Sequence, residues 1–268
     1  MVHKTLSKNH NLHINLPKDI FALLTNRLLF RLGFGLIGVF LPIFFYKLFS
    51  ESLYAVLIIY IIIYSIGIFI TPISSKMLGV VGIKNLMRVA VIPSAIAIGA
   101  LYFASDHPTY AVAGFIIAIA LYRAAYWVPY QTDLGHFLGH KKVGIHMAVY
   151  KNILQVMNAV TPLVGGVLIT AFDFKNVFVF AALILFTTLI PIHFITQVYE
   201  RYSWGFIETF KHLFAYKNRT LVYAYAADGA QGIISSIIWP IFIFELLNGN
   251  YMSVGFITSL TTIAILLL

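Results

Sequence analysis

The chain has 268 residues, 60% of them hydrophobic and only 10% charged, with a formal net charge of +9. That balance excludes an ordinary soluble domain. The absence of cysteine excludes a disulfide framework, a thiol nucleophile and a cysteine metal site.

Residues 1–24 form a basic segment. Its first 19 residues are polar, with no short apolar core and no small-residue cleavage pattern, so no cleaved signal peptide is read there. Eight apolar runs follow, at 25–49, 53–72, 86–104, 109–131, 146–171, 176–198, 220–247 and 251–268. A spanning helix needs about 20 mostly apolar residues. Stretches such as Ile58-Ile59-Tyr60-Ile61-Ile62-Ile63 lack the alternation of barrel strands. The fold class expected is an all-α polytopic membrane protein.

The charges fall in a pattern. With a cytoplasmic N-terminus, one side collects Lys4, Lys8, Lys18, Lys76, Lys84, Arg88, Lys141, Lys142, Arg201, Lys211, Lys217 and Arg219. The other collects only Lys47 and Lys175. This is the positive-inside asymmetry. It accounts for the net charge through topology and contact with the lipid bilayer, and gives no ground for a nucleic-acid site. The expected location is the plasma (inner) membrane, with several passes.

One connection is long. Within 199–219, Phe206, Ile207, Phe210, Leu213 and Phe214 share one helical face, which predicts an amphipathic helix on the cytoplasmic surface. It follows a bundle of six spans over 25–198. After it, Pro240, Ile241, Phe242, Leu246, Val254 and Ile257 echo Pro42, Ile43, Phe44, Leu48, Val56 and Ile59 at an offset of 198 residues. A parallel repeat in so apolar a chain points to a two-halved transporter. The second half then begins at 220. Two halves of that length need roughly twice the offset. The residues 220–268 are therefore read as two helices of an incomplete second bundle, completed by a longer chain or by self-association.

This arrangement resembles the major facilitator superfamily of secondary transporters. The loop between spans two and three carries Ser75, Gly79, Val80, Gly82, Ile83 and Lys84 in register with that family's Gly-x3-Asp-Arg-x-Gly-Arg-Arg pattern. Gly82 and Lys84 keep it, and the resemblance marks them as a gating loop. Gly79 stands in place of the aspartate. Thr161-Pro162-Leu163-Val164-Gly165 is similar to the Gly-Pro-x-x-Gly end of an antiporter pattern. Arg123 lies in span four, where many proton-coupled members carry an arginine. The resemblance implies a six-helix N-terminal bundle plus the first helices of a second. It also implies a central cavity lined by spans one, four and seven, which would gather Arg31, Arg123, Asp228 and Gln231.

Charges at membrane depth are costly and normally face a cavity or a partner. Arg31 and Arg123 are read that way. Arg27 and Lys151, nearer the cytoplasmic end, are read as snorkelling to the interface. Lys151, Gln155 and Asn158 share a face of span five expected to look inward. Asp228 and Gln231 sit one turn apart in span seven. Asp228 has two readings, an ion pair with an arginine or a substrate- or proton-binding group. Tyr122, Tyr126 and Trp127 form an aromatic group near Arg123, while Tyr130 is assigned to the interfacial aromatic belt.

The reading is transport of a small solute by alternating access, with protons as a possible coupling ion, no cofactor and no enzymatic activity. The excess of arginine over acid at membrane depth leans toward an anionic or polar solute. Two alternatives stay open. One is a membrane-embedded metalloenzyme, suggested by His136-x3-His140 and His146, although no adjacent-histidine box accompanies them. The other is a transport-inactive receptor or scaffold.

Overall fold

The computed structural model describes residues 16–137 and 143–267; His140 and the loop around it lie outside the described residues. The described chain is all helical.

α1 (Leu16–Gly38) and α2 (Phe40–Leu48) together make the first crossing. They part where Pro42 withholds the amide that would bond to the carbonyl of Gly38. α3 (Leu53–Met77) starts on Ser52, whose Oγ accepts from the Ala55 amide at 3.3 Å. α4 (Ile83–Ala100) continues as a 3₁₀ turn at Leu101–Phe103, and α5 (Pro108–Phe137) opens on proline, which suits a first helical position.

α6 (Val143–Thr187) is too long for one crossing and is broken at Asp173, whose φ of 62° and ψ of 163° are not helical. Its two limbs flank the same helix. Arg31 bonds to Asn158 on the first limb, and Asn26 reaches the Thr188 carbonyl just past the second. Along a straight helix those partners would be about 45 Å apart, whereas Asn26 and Arg31 are separated by about 8 Å. The chain therefore doubles back at Asp173, matching the two runs expected there. Pro191 separates α6 from α7 (Leu189–His193) in the way that Pro42 parts α1 from α2.

α8 (Phe206–Leu213) is the amphipathic helix expected in the linker. Phe210 meets Phe69 of α3, with ring centroids 6.2 Å apart, while Ile207 and Phe214 stay exposed. α9 (Arg219–Ile233) passes through a π-helical turn at Ile234–Ile238 into α10 (Trp239–Leu246), ahead of Pro240. α11 (Tyr251–Leu267) lies against α6, where Ser259 Oγ accepts from the Leu163 amide at 3.1 Å.

Six helices among the described residues are long and apolar enough to cross a membrane. One of them, Met147–His193, contains the Asp173 break, and the shorter apolar helix Tyr251–Ile265 follows the sixth. The eight apolar runs thus all reappear as helical segments.

The repeat read from the sequence recurs in the backbone. α2 ends with Glu51 N–H donating to Tyr46 O at 2.8 Å and Phe49 N–H to Phe45 O at 3.0 Å. At the same offset, Gly249 N–H donates to Phe244 O at 3.0 Å and Leu247 N–H to Ile243 O at 3.0 Å. Both are Schellman-type endings, and both place two consecutive residues at positive φ: Ser50 and Glu51, then Asn248 and Gly249. Ser52 and Asn250 then cap the next helices, Asn250 Oδ1 accepting from Ser253 N–H at 2.9 Å. Val56 and Val254 are fully buried at equivalent places.

The core centres on α1 and the limbs of α6, with Phe30, Phe40, Phe45, Phe115, Tyr126 and Phe178 almost wholly buried. One end of the bundle gathers Lys18, Lys76, Lys84, Arg88 and Arg201, and we call it the basic end. The opposite end holds the α2–α3 turn, the Asp173 break and the Asp106–Lys175 ion pair at 3.7 Å.

Candidate functional site

Three helical faces converge inside the bundle. On α1, Arg27, Phe30, Arg31 and Phe34 follow the i, i+3, i+4, i+7 spacing of one face. On α5 Ile119, Tyr122, Arg123 and Trp127 share a face at i, i+3, i+4 and i+8, and on α3 Tyr60, Ile63 and Tyr64 do so at i, i+3 and i+4. These residues, with Leu41 and Phe115, enclose a cavity of about 240 Å³.

Arg31 and Arg123, both singled out from the sequence, line this cavity together. Arg27 lines it as well, which corrects the snorkelling expectation. Its guanidinium lies 4.2 Å from the centroid of Trp127 and 5.6 Å from that of Tyr130. A guanidinium over these electron-rich faces gains about 0.5–2 kcal/mol, which holds it inward. Arg123 rests similarly over Tyr64 at 4.9 Å. Arg31 donates from Nε to Asn158 Oδ1. Each arginine is therefore positioned by an uncharged group. Among the described residues none of the three is ion-paired to a carboxylate.

Behind the cavity lies a polar relay that sequence reasoning missed. Tyr126 Oη donates to Asn26 Oδ1 at 2.9 Å, and Asn26 Nδ2 donates to the Thr188 carbonyl at 2.9 Å. Asn26 and Tyr126 are fully buried. The relay ties α1, α5 and the end of α6 beside Arg27. Tyr130 is buried and stacked on Tyr126, with centroids 5.7 Å apart, so it is a core residue and not part of a lipid-facing belt. Packing of α5 against α1, including Arg27 over its ring, draws it inward.

The remaining candidates sit elsewhere. Asn158 reaches Arg31, whereas Lys151 and Gln155, two turns and one turn earlier, are exposed. The inward face expected for span five therefore contributes only Asn158 here. Asp228 and Gln231 lie on α9, exposed, outside the residues that line the cavity. α9 has no buried residue, so the α1–α3–α5 cavity does not extend to it.

Gly82 and Lys84 belong to a clamp at the basic end. Gly82 has φ of 80° and caps α4, and a Cβ there would collide with the Gln197 amide. Gln197 donates to the Val81 carbonyl at 2.8 Å and accepts from the Asn85 amide at 3.3 Å. Lys84 Nζ donates to the His193 carbonyl at 2.6 Å, and Arg88 contacts His193 Nδ1 at 3.0 Å. Asp19, itself buried, accepts from the Thr196 amide at 2.9 Å and from its hydroxyl at 3.0 Å. The clamp joins the start of α1, the α3–α4 turn and the segment after α7. No pattern in the sequence marks Asp19, Thr196 or Gln197, because their partners are over 100 residues away.

Among the described residues no group of three or more His, Asp or Glu could hold a metal ion. His140 lies outside the described residues, as do the side chains of His136 and His146.

Compared with known protein families, with curated proteins and with solved structures, the chain matches none. Fold and site together define the class: an all-helical chain with six long apolar helices, consistent with a multi-pass membrane protein.

Proposed function

We propose that this chain is a membrane carrier that moves a small solute by alternating access, built on the plan of the major facilitator superfamily. The observation that carries the reading is the cavity lined by Arg27, Arg31 and Arg123 between α1, α3 and α5. Each guanidinium at membrane depth costs several kcal/mol. A protein that needed only to pack would not set three of them around one space. The repeated helix ending after α2 and α10 supports a two-bundle plan, with α9–α11 belonging to the second bundle.

In this reading the first bundle moves as one body. The clamp of Asp19, Lys84 and Gln197 locks its basic end, and the Asn26–Tyr126 relay locks its middle. The basic end faces the cytoplasm, following the lysine and arginine bias, and the membrane is the plasma (inner) membrane. α3, with only 17% of its apolar stretch buried, presents Ile61 and Ile62 to lipid or to the opposite bundle. Asp228 and Gln231 belong to the second bundle's side of the solute path.

The test is flux. Purified chain in liposomes is offered a panel of labelled solutes, with and without an imposed pH gradient. The expected result is saturable uptake of at least one solute, lost in Arg123→Gln vesicles that hold equal protein. Vesicles as impermeable to every solute as protein-free lipid would contradict the reading.

A further inference from the structure

The polarity of the cavity names a class of solute, on the premise that the cavity is a solute site. α1 runs away from the basic end, while α3 and α5 run toward it. Along α1 the lining therefore passes from Arg27 and Arg31 to Phe34 and Leu41. Along α5 it passes from Trp127 and Arg123 to Ile119 and Phe115, and along α3 from Tyr64 to Tyr60. One half of the cavity is cationic and aromatic. The other half is apolar.

The cationic half is built and uncompensated. Stacking on Trp127 and on Tyr64 uses the faces of Arg27 and Arg123 and leaves their N–H edges without a carboxylate, the Tyr122 hydroxyl standing against the edge of Arg27. Arg31 spends Nε on Asn158 and keeps both Nη groups. Arg27 and Arg31 stand one turn apart on one face, about 6 Å between their Cβ atoms. Two like charges held that close, with no carboxylate bonded to either, suit an anion that arrives from outside the protein. Paired N–H forks match carboxylate or phosphate oxygens.

We propose that the cavity binds a small organic anion, its carboxylate or phosphate oxygens among Arg27, Arg31 and Arg123 and its apolar body against Phe34, Leu41, Phe115 and Ile119. A volume of about 240 Å³ equals roughly eight water volumes, which sets the scale of the solute.

Four probes of related size separate the possibilities: phenylacetate, its neutral isostere phenylacetamide, the cation phenethylamine, and inorganic phosphate. Binding is measured by calorimetry on the full chain in nanodiscs, without any gradient. Phenylacetate is expected to bind about tenfold or more tightly than the amide, the amine and phosphate. Equal or tighter binding of the amide or amine overturns the anion site. Phosphate binding as tightly as phenylacetate overturns the apolar half. Arg31→Gln and Arg27→Gln should each weaken phenylacetate by about tenfold while leaving the amide unchanged. Arg31→Lys keeps the charge and guards against a folding defect, and it too should weaken the anion by losing the fork. Unchanged phenylacetate affinity in all three variants overturns the assignment. Anion-selective binding without flux would refute the carrier and leave this site. Saturable flux of a neutral or cationic solute alone would refute this site and leave the carrier.

Discussion

At the scale of single residues, the charged groups at membrane depth were legible because hydrocarbon makes them expensive. Arg31 and Arg123 stood out for that reason and share one cavity wall. Arg27 was misjudged by its distance from the helix end, although its spacing from Arg31 and from Phe30 and Phe34 placed it on the same face. Helical phase was the better guide here than depth. Asn26, Asp19 and Gln197 were not legible, since each acquires meaning only from a partner brought near by the fold. Two predictions belong at this scale. Gly82→Ala forces a side chain into the left-handed region and against Gln197, and should cost about 1–2 kcal/mol or more. Gly99→Ala, with open space around it in the last turn of α4, should leave stability unchanged or raise it. Thermal unfolding of both variants in detergent decides this, and equal melting temperatures would count against the clamp. Asn158→Leu removes the acceptor that holds Arg31 and should cost about 1.5–3 kcal/mol, the usual worth of a hydrogen bond to a charged group. Gln155→Leu, exposed one turn earlier, serves as the control and should change stability by less than about 0.5 kcal/mol.

At the scale of elements, hydrophobic run length located every helical segment, and proline explained the breaks before α2 and α7. The sequence also marked α8 by its apolar stripe. What it could not reveal was the shared ending of α2 and α10. Phe49-Ser50-Glu51-Ser52 and Leu247-Asn248-Gly249-Asn250 have no residue in common, yet they adopt one backbone shape. Hydrogen-bond register sets that shape, and many residue types tolerate it at different cost. Asparagine and glycine accept positive φ more readily than serine and glutamate. Replacing residues 49–52 by the segment from 247–250 should therefore preserve the turn and raise stability by about 1 kcal/mol, even with the exposed Lys47–Glu51 pair removed. Denaturation of the chimera by heat checks this. A lowered melting temperature would show that the two endings are not interchangeable.

At the scale of the whole molecule, the bundle separates its charges. Lys84, Arg88 and Arg201 collect at the end that holds Asp19, while Lys47 and Lys175 lie at the other. The lysine and arginine bias between the two ends sets the sidedness expected of the bundle. Because the chain has no cysteine, single cysteines report it cleanly. In intact cells an impermeant thiol reagent should label Asp106→Cys and spare Arg201→Cys, and the reverse pattern would invert the topology. The carrier reading itself requires that the cavity open in turn to each side. Ile119, buried on its wall, is the place to look. The decisive measurement is labelling of Ile119→Cys in oriented proteoliposomes, with the impermeant reagent added to one face or the other. Alternating access predicts labelling from either face. Labelling from neither face, or from one face alone under every condition, would contradict it.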